Sequence, residues 1–350
     1  MKLVAVSLVP AFRFGGGEKW QLECLQELKC FFDEIIYISA SKTLNTAQSI
    51  FHTGFRKYNF ETENWGSEVL GSEIIEHISV CKNFWIFQYQ ASDISLELIL
   101  NAHSNSKVFM TNLGCEPAMF FENYTPQRNH CFLEISQFSA KRTARFVPNV
   151  AYVWCGYEYK LEKQIVSKAH RQGFVMVGRL LPHKRPDFLI DAWSKTGQPL
   201  HIIGSFQEES FFEKLKKSIG EKPVKIYSDI SNFKRDNIIS KSIGLIAPSS
   251  SEPEQSELLG LVIFEALQNG TLPIVSSIPS YIEIMKALGL MDWVFECDSV
   301  ASLRNVCSSL EELSIQDYCS LVESARTKAR NQFKWDNIVP LMTKNENFSY

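Results

Sequence analysis

I-G-L-I-A-P-S-S-S-E-P-E-Q-S-E-L-L-G-L-V-I-F-E-A-L-Q-N-G-T-L-P-I-V, residues 243–275, holds a whole strand–loop–helix–strand unit. An apolar run, Ile243–Ala247, stops at Pro248, and a polar, acidic loop follows. A helical pattern begins about Gly260, ends at Asn269–Gly270, and a second apolar run, Leu272–Val275, starts at once. Continuous apolar strands belong to a sheet covered on both faces, and a helix between two of them makes the pair parallel. The fold class is therefore α/β. The unit also raises a chemical question, because Glu257 stands just outside the helix start and Glu265 one turn inside it.

The same alternation runs through the chain. Apolar runs at Leu3–Val9, Glu34–Ile38, Phe84–Tyr89, Lys107–Thr111, Cys131–Ile135 and Ala151–Trp154 predict a first set of strands. Helical patterns at Gly17–Cys30, Ser72–Val80 and Ser92–Ala102 lie between them. The pattern lapses over the polar stretch Cys155–Gln172, then restarts with Phe174–Val177, Leu200–Ile203, Val224–Tyr227 and the two runs of the opening unit. A chain of 350 residues exceeds the usual single core. Two doubly wound domains are expected, 1–160 and 161–333, with a closing segment 334–350.

Composition narrows the class. Apolar residues make up 45% and charged residues 21%, as in an ordinary globular protein. The net charge of −3 is evenly spread, which argues against a nucleic-acid partner. Nine dispersed cysteines without a C-x-x-C pair read as reduced thiols of a cytoplasmic protein, not as a disulfide or zinc framework. No window reaches the ~18 apolar residues of a membrane span. Contact with a membrane surface stays open through K-R-T-A-R at Lys141–Arg145 and through Phe120, Phe121 and Tyr124, against a solvated helix face and buried rings respectively.

In open α/β sheets ligands sit beyond the carboxyl ends of the strands, so the loops after strands carry the chemistry. The first is A-F-R-F-G-G-G-E-K-W at 11–20, where glycines let a backbone approach an anion at a helix start. A tight turn without a ligand fits that loop equally well. The second is V-G-R-L-L-P-H-K-R-P-D at 177–187. Arg179 and Lys184 beside a helix start make a diphosphate clamp, or else two solvated cations. The third is the opening loop, where the amides of Gly260, Leu261 and Val262 are helix-start donors. The eight-residue step from Glu257 to Glu265 spans roughly 12 Å at helical rise, the reach from a ribose across a diphosphate to a sugar. Taken singly, each acid also suits an ordinary helix start.

Taken together, the loops are more specific. G-G-G-E-K at 15–19, L-E-I-S-Q-F at 133–138, V-P-N-V at 147–150, G-R-L-L-P-H-K-R-P-D at 178–187, A-P-S at 247–249, E-L-L-G-L-V-I-F-E-A-L at 257–267 and N-G-T-L-P-I-V-S-S at 269–277 follow one another. In that order the chain resembles the retaining glycosyltransferases of family 4, with R-N-Q-F-K-W at 330–335 resembling the family's end region. The resemblance implies the GT-B fold, two facing Rossmann-like domains with an interdomain cleft and a last helix crossing back to the first. It implies that Arg179 and Lys184 hold a donor diphosphate, that Glu265 binds the nucleotide ribose, and that Glu257 meets the donor sugar at the reacting carbon. Gly16 and Gly17 would approach the diphosphate from the other domain. With no D-x-D in the sequence, no cofactor or metal is expected, only a nucleotide sugar as co-substrate.

The sequence departs from the family pattern in two places. Gln88 or Gln90, and Asn112 or Leu113, stand where many relatives place a histidine near the donor sugar. We take Gln90 and Asn112 as acceptor or donor-sugar pocket residues; an amide hydrogen-bonds a hydroxyl but does not shuttle a proton. The loop before Glu257 is also long, so that Glu252 and Glu254 compete for its role; Glu257 alone keeps E-x-x-G and the step to Glu265. The expectation is a metal-independent retaining hexosyltransferase in polysaccharide or glycolipid synthesis, with a UDP-sugar donor first and a GDP-sugar second. Its acceptor would be a hydroxyl of a sugar or glycolipid; the oligomeric state is left unassigned. A sugar-nucleotide epimerase and a non-catalytic partner subunit are the alternatives.

Overall fold

The computed structural model describes residues 2–7, 16–39, 55–59, 81–87, 106–113, 118, 121, 126–158, 165–195, 197–206, 208–228, 230–250 and 257–343. The chain divides into two compact units, Met1–Glu158 with Phe333–Tyr350, and Tyr159–Gln332.

The first unit is built on seven strands: β1 (Lys2–Ser7), β2 (Glu34–Ser39), β3 (Phe55–Asn59), β4 (Asn83–Phe87), β5 (Lys107–Thr111), β6 (His130–Glu134) and β7 (Val150–Tyr152). They lie in the order β3-β2-β1-β4-β5-β6-β7, and every pairing is parallel. Leu3, Val4, Ala5, Phe84, Trp85, Ile86 and Phe87 are all buried, because helices and loops cover a parallel sheet on both faces. Helix α1 (Gly16–Leu28) follows β1 and sends Trp20 edge-on to Phe87, with ring centroids 6.0 Å apart. Helix α2 (Gln137–Thr143) is capped by Ser136, whose hydroxyl accepts from the Ser139 amide at 3.0 Å. Glu134 ends β6 fully buried and accepts from the hydroxyls of Ser139 (2.5 Å) and Thr143 (2.7 Å). These bonds give the L-E-I-S-Q-F stretch a structural role, since a buried carboxylate needs donors on its oxygens.

The second unit repeats the design with six strands: β8 (Phe174–Val177), β9 (Leu200–Ile203), β10 (Val224–Tyr227), β11 (Gly244–Ala247), β12 (Leu272–Ser276) and β13 (Val294–Phe295). Their order is β10-β9-β8-β11-β12-β13, again parallel throughout. The helices between them are α3 (Pro186–Ala192), α4 (Glu209–Ile219), α5 (Asn232–Lys241), α6 (Leu261–Gln268) and α7 (Pro279–Leu288), and α8 (Val300–Glu312) and α9 (Ile315–Phe333) follow β13. Val175, Ile203, Ile239, Leu245 and Ala266 form a buried cluster between sheet and helices. Each of the valine, leucine and isoleucine side chains contributes about 1.5–3 kcal/mol when fully removed from water.

Helix α10 (Trp335–Thr343) closes the described chain and packs in the first unit. Trp335 lies over Trp20 with centroids 5.5 Å apart. Its indole N–H donates to Glu23 at 3.1 Å, and the Glu158 amide donates to the same carboxylate at 3.1 Å. Burial pushes the Glu23 carboxyl upward, with the Lys19 ammonium opposing. Gly156 is required here, since a Cβ would fall 2.2 Å from the Trp335 ring.

Several sequence expectations fall on residues outside those described: the helices at Ser72–Val80 and Ser92–Ala102, and the aromatic residues Phe120 and Tyr124. Phe121 is half-buried and stacks on Phe146 at 5.2 Å. Lys141–Arg145 is not one basic face, because Arg142 is buried, over the Phe138 ring, while Lys141 and Arg145 are exposed. Strand β3, reading F-R-K-Y-N, was not expected from the apolar pattern. Among the described residues no helix is long and apolar enough to cross a membrane.

The strand order reverses between β8 and β11, which opens the switch point where open α/β sheets take ligands. Close backbone contact shapes its β8 side: the Gly178 N–H donates to Ile203 at 3.0 Å and the Leu180 N–H to Ser205 at 2.8 Å. A Cβ on Gly204 would sit 1.7 Å from the Gly178 carbonyl oxygen. Gly204→Ala is therefore expected to destabilise the second unit by about 3 kcal/mol or more, backbone having no rotamer to relax into. Urea unfolding followed by tryptophan fluorescence checks this, and an unchanged midpoint would refute the contact.

Candidate functional site

The two loops at the switch point of the second unit hold most of the residues singled out in the sequence. After β8, the chain passes Gly178 and Arg179, makes a short turn at Pro182–Lys184, and enters α3 through Arg185. After β11, it passes Pro248–Ser250, and the described residues resume at Glu257 before α6. The Ser250 amide donates to the His183 carbonyl at 2.8 Å, which ties one loop to the other.

Lys184 and Glu257 form an ion pair across these loops, with side chains only 20% and 16% exposed. Glu257 is held from behind as well, its carbonyl accepting from the Ser280 hydroxyl at the start of α7. Burial, and then the neighbouring Arg179 guanidinium, push the Lys184 ammonium down to about 7; the Glu257 carboxylate opposes that shift. Arg179 is half-buried and makes no ion pair among the described residues.

Helix α6 adds donors. Gly260 is its N-cap in the left-handed region, φ 56°, and a Cβ there would meet Ile284 at 2.7 Å, so glycine is favoured at this position. The first bond of the helix start runs from the Ile263 N–H to the Gly260 carbonyl, leaving the amides of Leu261 and Val262 without an intrahelical acceptor. Glu265 lies one turn further, half-buried, on the same helix. Behind the loop, the Tyr281 hydroxyl bonds Ser249 at 3.1 Å, and the Ser276 hydroxyl donates to the Ser249 carbonyl at 2.6 Å.

Two supporting residues escape the sequence reading. Arg185 and Asp298 have left-handed backbones, φ 54° and 61°, and their side chains form an ion pair with each other. Arg185 also lies over the Phe188 ring at 5.5 Å. Asp298 sits in the turn entering α8, where the Cys297 amide donates to Ser277 at 3.1 Å. The pair fixes the residue that follows Lys184. Nothing in the sequence showed that an arginine takes a conformation suited to glycine, or that Asp298 holds it there.

The structure thus brings Arg179, Lys184, Glu257, Gly260, Leu261, Val262 and Glu265 to the two loops of one switch point. Gly16 and Gly17 open α1 in the other unit. Asn112 follows β5 in that unit and is fully buried. Gln90, Gln88, Glu252 and Glu254 lie outside the described residues.

Residues 159–331 match the family described as Glycosyl transferases group 1. Over 169 residues the chain is 27% identical to an uncharacterised glycosyltransferase of Methanocaldococcus jannaschii, a match spanning 47% of this chain and 42% of that relative. Among solved structures, a glycosyltransferase from Rickettsia africae superposes with a TM-score of 0.76 at 17% identity, covering 99% of this chain and 98% of its own. HepE of Anabaena, crystallised with UDP and glucose, gives 0.74 at 15% identity, covering 98% of each chain. Sucrose-phosphate synthase of Thermosynechococcus elongatus gives 0.73 at 14%, covering 98% and 97%. Across the whole chain these likenesses establish the fold, which is of the GT-B type.

The lowered Lys184 ammonium sets a pH dependence. The unfolded chain holds this proton up to the ordinary lysine range, whereas the folded site releases it near 7. Between those values the unfolded state binds more protons, so stability rises with pH, by at most about 1.4 kcal/mol per pH unit. Below about 7 the cost of the buried cation is fully present. Unfolding free energies between pH 7 and 9 should climb in the wild type and stay flatter in Lys184→Met; equal slopes would contradict the burial of this charge.

Proposed function

We propose that this protein is a retaining, metal-independent glycosyltransferase moving a hexose from a nucleotide sugar to a hydroxyl acceptor. A UDP-sugar is the first candidate donor and a GDP-sugar the second, with an acceptor of polysaccharide or glycolipid synthesis. One observation carries the reading: a lysine pushed down by burial and then by an adjacent arginine pairs with Glu257, just ahead of a helix start at the switch point of a group 1 glycosyl transferase domain.

Such a site suits a diphosphate. Arg179 supplies bidentate donors, Lys184 a compact charge, and the Leu261 and Val262 amides the remaining donors. As the bond between the sugar's anomeric carbon and the diphosphate breaks, negative charge grows on the departing phosphate oxygen. Fixed cations and amides aimed at that oxygen lower the barrier without a metal. The acceptor hydroxyl attacks from the same face and passes its proton to the departing phosphate, so that configuration is retained and no side-chain nucleophile is needed. Glu257 engages the donor sugar, and Glu265 accepts from the ribose hydroxyls. HepE, which shares the fold, was crystallised with UDP and glucose.

A nucleotide sugar that binds only the folded state raises the melting temperature, so a thermal-shift panel of UDP- and GDP-sugars identifies the donor. Transfer to a hydroxyl acceptor should then persist in EDTA, and Lys184→Ala or Glu265→Ala should lower it by about 100-fold or more. A folded Lys184→Ala variant with full activity would sink the assignment. A bound diphosphate also restores the Lys184 charge, so binding at pH 8 should take up close to one proton. Calorimetry in buffers of differing ionisation enthalpy reads that uptake, and Lys184→Met should abolish it.

A further inference from the structure

The cation assigned to the diphosphate and the carboxylate assigned to the sugar are, without a ligand, each other's partner. Resting on the donor site proposed above, we infer that the Lys184–Glu257 ion pair is a selectivity gate that favours a nucleoside diphosphate carrying a sugar over the bare diphosphate.

A diphosphate that engages Lys184 competes with Glu257 for that ammonium and weakens the pair. The released carboxylate stays inside the site, because its own backbone is fastened to Ser280 and its side chain is only 16% exposed. A buried carboxylate stripped of its partner is destabilised more than the pair it left, and it also repels an incoming anion. Among the described residues Lys184 is its ion-pair partner, and donors that arrive with the ligand can replace it. Sugar hydroxyls are such donors, placed on the terminal phosphate of the same molecule. A free nucleoside diphosphate brings the competing charge and no donor for Glu257. Arg179 lies outside the pair and attracts either ligand alike. The gate therefore weakens the product relative to the donor, and it reads the presence of a glycosyl group, not the base.

The geometry separates this reading from a merely structural pair. Were the pair only a strut between the loops after β8 and β11, removing its acid would loosen the site for every ligand. As a gate, the acid's removal frees Lys184 in advance and helps the bare diphosphate. The loops keep a second tie, the Ser250 amide on the His183 carbonyl at 2.8 Å.

Calorimetric titration of the full chain at pH 6, where Lys184 carries its proton, with UDP, GDP, UDP-glucose and GDP-mannose tests it, in the wild type, Glu257→Gln and Lys184→Met. The wild type should prefer a nucleotide sugar to its own diphosphate. In Glu257→Gln the diphosphate should bind about 10-fold or more tighter than in the wild type, while the nucleotide sugar weakens, collapsing or inverting the preference. Lys184→Met should lose affinity for both ligands. Glu257→Ala carries the same expectation for the diphosphate, should the glutamine variant fold poorly. Unchanged or weaker diphosphate binding in both acid variants, beside a wild type that binds a nucleotide sugar, overturns the gate and leaves the donor site standing. No nucleotide binding by the wild type overturns the donor site and the gate together.

Discussion

A buried ammonium persists only where an anion sits beside it, and Lys184 is the group on which the described site turns. Its surroundings push it down to about 7, and the ion pair with Glu257 works against that push. The pair spans the loops after β8 and β11, the strands between which the sheet order reverses. Folding therefore delivers to one place a cation that needs an anion, a second cation beside it, and the open start of α6. Topology and electrostatics act together here, because the switch point is the one part of a doubly wound sheet where neighbouring loops diverge.

The rest of the unit holds those loops in position. Gly178 and Gly204 touch through backbone, so the turn bearing Arg179 leaves the sheet at a fixed angle. Arg185, next to Lys184, takes a left-handed backbone and is held by Asp298, itself left-handed, in the turn before α8. Each such non-glycine residue costs about 1–2 kcal/mol. The cost falls at the entry to α3, beside the proposed diphosphate site, where a fixed lysine position matters most.

Much of this was legible in the sequence. Lys107–Thr111, Phe174–Val177, Leu200–Ile203 and Val224–Tyr227 are strands at the expected bounds, since continuous apolar runs have one explanation in a sheet buried on both faces. The helix expected near Gly260 starts at Leu261 with that glycine as its cap. The edge strand Phe55–Asn59 was not legible, because F-R-K-Y-N shows no apolar run. The two-residue strand Val294–Phe295 is too short to leave a pattern. At the site, charge and spacing singled out Lys184 and Glu257 but not their pairing, which depends on two loops meeting across the sheet. The Arg185–Asp298 pair was hidden for the same reason, its members being 113 positions apart.

A crystal structure of the full chain with its nucleotide-sugar donor tests the central claim most directly. The diphosphate should lie within hydrogen-bonding distance of Arg179, Lys184 and the Leu261 or Val262 amide, with Glu257 turned from Lys184 to the sugar hydroxyls. A diphosphate bound elsewhere, or one bound while Lys184 still pairs with Glu257, would contradict it.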